Sequence, residues 1–112
     1  MSADHSEQRR APRKPVDTGT TVVDVIRDQP LGHLGNLSAT GMLLIGPQAP
    51  QRDAVYQVRL PLPGVDGAAI EVGIQTQWCE PAARPGLSWT GYRIIAIARA
   101  DAAHLDRWLR HA

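Results

Sequence analysis

From Val55 to Leu62 the chain alternates cleanly, with Tyr56, Val58, Leu60 and Leu62 on one face and Gln57, Arg59 and Pro61 on the other. That period of two marks a half-buried antiparallel strand. Pro63-Gly64-Val65-Asp66-Gly67 is turn chemistry, and beyond it Ile70, Val72, Ile74, Thr76 and Trp78 repeat the period, all on one face of a return strand. Upstream, Thr20 to Ile26 is rich in β-branched residues and ends in the turn-like Arg27-Asp28-Gln29-Pro30. Leu31 to Asn36 predicts a short second strand, and Met42 to Ile45 a third that stops at Gly46-Pro47.

Glu80 to Pro85 reads as another turn region. Trp89 to Ala98 is the final strand, and its near-continuous apolar run Ile94-Ile95-Ala96-Ile97 predicts cover on both faces. The period then changes. Leu105, Trp108 and Leu109 share one helical stripe, Asp101 is placed to cap the N-terminus, and Arg107 and Arg110 suit the negative end of the dipole. A helix this short needs a sheet to pack on. The expectation is mainly β: an antiparallel barrel of about six strands, closed so that no strand edge is exposed, with an amphipathic C-terminal helix over about residues 100–112.

Composition bounds this picture. A chain of 112 residues suits one domain burying roughly two-thirds of its unfolded surface. The absence of Phe, with 10 Gly and 9 Pro, favours many turns over long helices. Residues 1–15 are polar and Pro-rich with almost nothing to bury, so they read as a flexible basic arm before a barrel domain at 16–112. The single cysteine, Cys79, excludes an intrachain disulfide and fits a reducing compartment. No apolar run is long enough to span a bilayer, and the N-terminus lacks the apolar stretch of a signal peptide, so the expected location is cytoplasmic.

A net charge of +1 gives no global field for nucleic acid or anionic membrane, but Arg9-Arg10-Ala11-Pro12-Arg13-Lys14 concentrates positive charge locally. Pro12 and Pro15 push the residues before them toward extended conformations, so the cluster predicts an arm able to wrap an anion. The second special stretch is Asn36-Leu-Ser-Ala-Thr-Gly41. Its residues suit an Asx-type turn into a strand; they also offer an amide at Asn36, a hydroxyl at Ser38 and, at Gly41, either close backbone approach or positive φ.

Arg9 and Arg13 form R-x-x-x-R, and Asn36, Ser38 and Gly41 form N-x-S-x-x-G. In this order, with a strand pattern between them and another after the second, the pair resembles the two binding motifs of the PilZ domain family, and the chain length suits a stand-alone member. The resemblance implies the same barrel, and cyclic di-GMP as ligand. Arginine forks can grip phosphate or the O6/N7 edge of guanine, and can stack on its ring. Arg9 and Arg13 would take these roles, with Arg10 adding charge or a stacking plane. Asn36 would read the opposite guanine edge, Ser38 would bond a guanine or phosphate acceptor, and Gly41 would keep the wall thin. Many members carry aspartate where this chain has Asn36, a stronger acceptor. The family also implies a downstream protein partner, unnamed by the sequence, in bacterial motility, biofilm or exopolysaccharide control.

Other chemistries find little support. His5, His33, His104 and His111 show no metal-ligand spacing, and there is no phosphate-binding glycine loop. Ser38 lies in G-x-x-S-x-x-G rather than a nucleophile elbow, so neither a catalytic nor a metal site is expected. Trp78, at the end of a strand beside a polar loop, suits either core packing or stacking on a base. Two other classes stay open: a ligand-free adaptor of the same fold, and a small barrel binding single-stranded nucleic acid through the arm and Trp78.

Overall fold

The computed structural model describes residues 14–15, 19–47, 51–62 and 69–110. Among them are seven strands and one helix: β1 (Lys14–Pro15), β2 (Thr21–Asp24), β3 (Gln29–Leu37), β4 (Gly41–Gly46), β5 (Val55–Pro61), β6 (Ala69–Pro81), β7 (Ser88–Ile97) and α1 (Arg99–Arg110). Arg9, Arg10, Arg13 and the Pro63–Gly67 turn lie outside the described residues.

The strand order is β3-β2-β5-β6-β7-β4, and β4 pairs back to β3, so six antiparallel strands close into a barrel. Closure leaves the six without a free edge. This is the fold class that the alternation and the helical stripe predicted. The short β1 adds to the flank of β3, with Lys14 opposite Leu37 and Pro15 opposite Asn36.

Inside the barrel, Val22, Leu34, Leu37, Met42, Val58, Leu60, Val72 and Ile74 are fully buried. Leu105 and Trp108 of α1 join the same core, with Leu109 packed against it. The helix begins earlier than expected, so Asp101 is not its cap. It sits in the first turn, where its negative charge suits the dipole, and its Oδ2 accepts the Glu71 backbone N–H at 3.2 Å, joining α1 to β6. The apolar run of β7 is also less covered than predicted: Ile95 and Ala96 are exposed, and a register shift between Gly73 and Ile74 leaves Ile95 without a β6 partner.

At the other hairpin Asp24 is buried. Its Oδ1 accepts the backbone N–H groups of Ile26 and Arg27 at 3.0 and 3.1 Å, and its Oδ2 accepts Arg27 Nη1 at 3.0 Å. Burial alone would raise its pKa, but these hydrogen bonds and the Arg27 charge outweigh it and hold the carboxyl below the ordinary aspartate range. The same Arg27 guanidinium lies over the Tyr56 ring.

Candidate functional site

Cross-strand register gives the barrel wall two faces. Leu37, Met42, Tyr92 and Thr76 stand opposite one another across β3, β4, β7 and β6, and all four are buried. The neighbouring row is Asn36, Leu43, Gly91 and Trp78, and it faces outward. Asn36 and Leu43 are half-buried, and Trp78 is 46% exposed. Alternation placed Trp78 on the inner face with Ile74 and Thr76. A β-bulge between Thr76 and Trp78 overturns that expectation, because the extra residue, Gln77, turns the indole to the outside.

Trp78 lies across the neighbouring strand: a Cβ built on Gly91 would collide with its Nε1 and Cε2. Glycine within a strand marks such close approach. A second tryptophan, Trp89 on β7, reaches past β4 to β3. The ring of Trp89 occupies the space beside Gly35, whose Cβ would come within 2.9 Å of Trp89 Cζ3. Gly35 is the residue left out of register between Leu34 and Asn36. Trp89 thus seals the irregularity that precedes Asn36.

Ser38 is fully buried. Its Oγ accepts the backbone N–H groups of Thr40 and Gly41 at 3.2 and 3.1 Å, lies 3.3 Å from the Gly41 carbonyl that it can donate to, and its own N–H donates to that carbonyl at 2.9 Å. The hydroxyl is occupied within the turn from β3 to β4. That turn is tied to β7 by the Ile94 N–H donating to the Thr40 carbonyl at 2.8 Å. Gly41 is needed for close approach rather than for positive φ, since a Cβ there would lie 2.5 Å from the Tyr92 carbonyl oxygen.

The structure therefore brings Asn36, Ser38 and Gly41 together at one turn and sets Trp78 on the outside of the barrel wall, three interstrand steps from Asn36, with its ring leaning over β7. Between them the floor is Leu43 and Gly91. Arg93, one outward position along β7 from Gly91, is exposed and donates to Gln75 Oε1 at 3.4 Å. Sequence reading missed Gly91 and Gly35 as parts of this surface. The visible signal was Trp89-Thr90-Gly91-Tyr92-Arg93, an alternation with a glycine at an outward position.

Burial pushes the Tyr92 hydroxyl well above its ordinary range, so the phenol beneath this surface stays neutral. No group of His, Cys, Asp and Glu able to hold a metal occurs among the described residues. No described helix is long and apolar enough to cross a membrane.

Solved structures that share the fold include two bacterial proteins. The Bacillus subtilis inhibitor of motility, MotI/DgrA, superposes with a TM-score of 0.71 at 15% identity, over 91% of this chain and 50% of that one. The PilZ domain of Escherichia coli YcgR, solved with c-di-GMP, gives 0.65 at 14% identity, over 89% of this chain and 87% of that one. The chain spans half the length of the MotI chain. No curated protein matches it in sequence. The PilZ domain family model matches residues 7–111. With that match running over nearly the whole chain, and N-x-S-x-x-G forming the turn between β3 and β4 of the barrel, the chain belongs to the PilZ domain family.

Proposed function

We propose that this chain is a cyclic di-GMP receptor that signals to a protein partner. The observation that carries the reading is the register that pairs Pro15 with Asn36 and runs on through Leu43 and Gly91 to Trp78. It delivers the end of the basic arm to the edge of a surface with an amide at one end and an exposed indole at the other. Asn36 and Trp78 stand on strands separated by β4 and β7, and a ligand with two bases joined through phosphates can offer one base to each. The c-di-GMP held by the YcgR domain, a structure of the same fold, points the same way.

In this reading Arg9 and Arg13 grip guanine edges and phosphate, Arg10 adds charge or a stacking plane, and Asn36 accepts from a guanine edge. Trp78 stacks on a base. Ser38 and Gly41 contribute through the turn they shape, since the Ser38 hydroxyl is buried and already engaged. Binding orders the arm on the barrel and so changes the surface that a partner meets, in control of motility, biofilm or exopolysaccharide.

The test is calorimetric titration of the full chain with cyclic di-GMP, with GTP and Arg13→Ala as controls. A charge-assisted hydrogen bond contributes about 1.5–3 kcal/mol and about 1.4 kcal/mol is tenfold in affinity, so one lost arginine fork removes most measurable binding. Saturable heat absent from GTP and from Arg13→Ala is the expected result. No heat with the wild type would leave a ligand-free adaptor.

A further inference from the structure

A pocket of about 350 Å³ opens beside Trp78, lined by Arg52, Thr76, Gln77, Trp78 and Cys79. It lies on the opposite flank of β6 from Gly91. The segment that carries Arg52 is fixed against β6: the Asp53 N–H donates to the Thr76 carbonyl at 3.1 Å, the Thr76 N–H donates to the Ala54 carbonyl at 2.9 Å, and Gln75 Nε2 donates to the Asp53 carbonyl at 3.4 Å. Asp53 holds the turn at φ 66, a left-handed conformation that aspartate tolerates. Arg52 is thereby held by backbone structure in the wall of the pocket that Trp78 also lines, and it is exposed. Among the described residues its guanidinium makes no ion pair or hydrogen bond.

An exposed indole face and a guanidinium that is uncommitted among the described residues are complementary to one kind of ligand, a planar ring bearing an anionic or forked acceptor. The pocket volume falls at the lower end of the range of about 300–1,000 Å³ typical of ligand sites. Cys79 already receives the Thr90 hydroxyl at 3.4 Å and Gln77 Nε2 lies against backbone carbonyls, so Arg52 and Trp78 supply the recognition.

We infer that Arg52 is a further ligand-binding residue, forming with Trp78 a distal subsite for a purine nucleotide. This deepens the receptor reading and rests on it for the identity of the whole ligand: the arm and Asn36 hold one guanine, and Trp78 with Arg52 holds the other. Trp78 stacks on the ring, and Arg52 grips a forked acceptor, either phosphate oxygens or the O6/N7 edge.

The experiment follows the indole N–H resonance of Trp78, identified with Trp78→Phe, in the full-length chain. GMP, guanosine and inorganic phosphate are titrated separately, and cyclic di-GMP binding is measured by calorimetry in wild type, Arg52→Ala and Arg13→Ala. GMP is expected to shift the Trp78 resonance, and Arg52→Ala to weaken both GMP and cyclic di-GMP by about tenfold or more with unchanged melting temperature. Guanosine acting as well as GMP assigns Arg52 to the base edge; a response that needs the phosphate assigns it there. Cyclic di-GMP binding lost in Arg13→Ala but within about twofold of wild type in Arg52→Ala overturns the subsite and leaves the receptor reading standing. An Arg52-dependent GMP response without any cyclic di-GMP heat supports the subsite and overturns the receptor reading. A Trp78 resonance that no probe moves overturns the subsite.

Discussion

The indole of Trp78 on β6 occupies the space that a side chain at Gly91 on β7 would require. The pair stand directly opposite in the sheet, so the indole's position over β7 depends on the missing Cβ. Gly91→Ala lifts the ring off the strand. Because Trp78 is exposed, the ring can move aside without opening the core. The expected outcome is a melting temperature close to wild type, a changed tryptophan emission, and cyclic di-GMP binding weakened by about tenfold, within the roughly 1–3 kcal/mol that stacking on one base supplies. Emission and affinity unchanged together would show that the contact does not position the indole.

Ser38 yields a different signature. Its hydroxyl serves two backbone N–H groups in a fully buried turn, and alanine leaves both without that acceptor. Ser38→Ala should cost about 1–3 kcal/mol of stability, and ligand affinity should fall with it because Asn36 enters the same turn. Thermal melts and titration of the same sample check this. Lost affinity with wild-type stability would instead mark the hydroxyl as a direct ligand contact.

Asp24 makes stability depend on pH. Its folded pKa lies below the unfolded value of about 3.9, so its contribution is present above that value and is lost as pH falls through the folded one. Asp24→Asn should therefore melt below wild type at pH 7, with the gap narrowing as pH is lowered toward 3. Melting temperatures of both proteins across this range are the check. A gap that stays constant with pH would mean that the carboxylate charge contributes nothing.

The barrel was legible because its strands obey a period of two, and β5 keeps Val58 and Leu60 inside, with Leu62 just beyond it, as the alternation requires. The turn motif was legible as residue types, but not in its division of labour. Nothing in the letters says that Ser38 is turned inward or that Gly41 is excluded from bearing a side chain by Tyr92. Trp78 was misplaced for a specific reason: a bulge adds one residue on one strand only, and every position beyond it changes face. The row from Asn36 to Trp78 joins four strands whose order along the chain differs from their order in the barrel. Its existence depends on register, which local pattern does not encode. The pocket at Arg52 depends on where the loop before β5 docks, a tertiary matter again.

The most direct measurement is an amide and indole NMR titration of the isotopically labelled chain with cyclic di-GMP, reading Lys14, the Asn36 side-chain amide and the Trp78 indole N–H together. The expected result is that all three shift along one saturation curve, and that Arg13→Ala abolishes the response at Asn36. Shifts confined to other faces of the barrel, or no shift at saturating ligand, would contradict a binding surface running from the arm through Asn36 to Trp78.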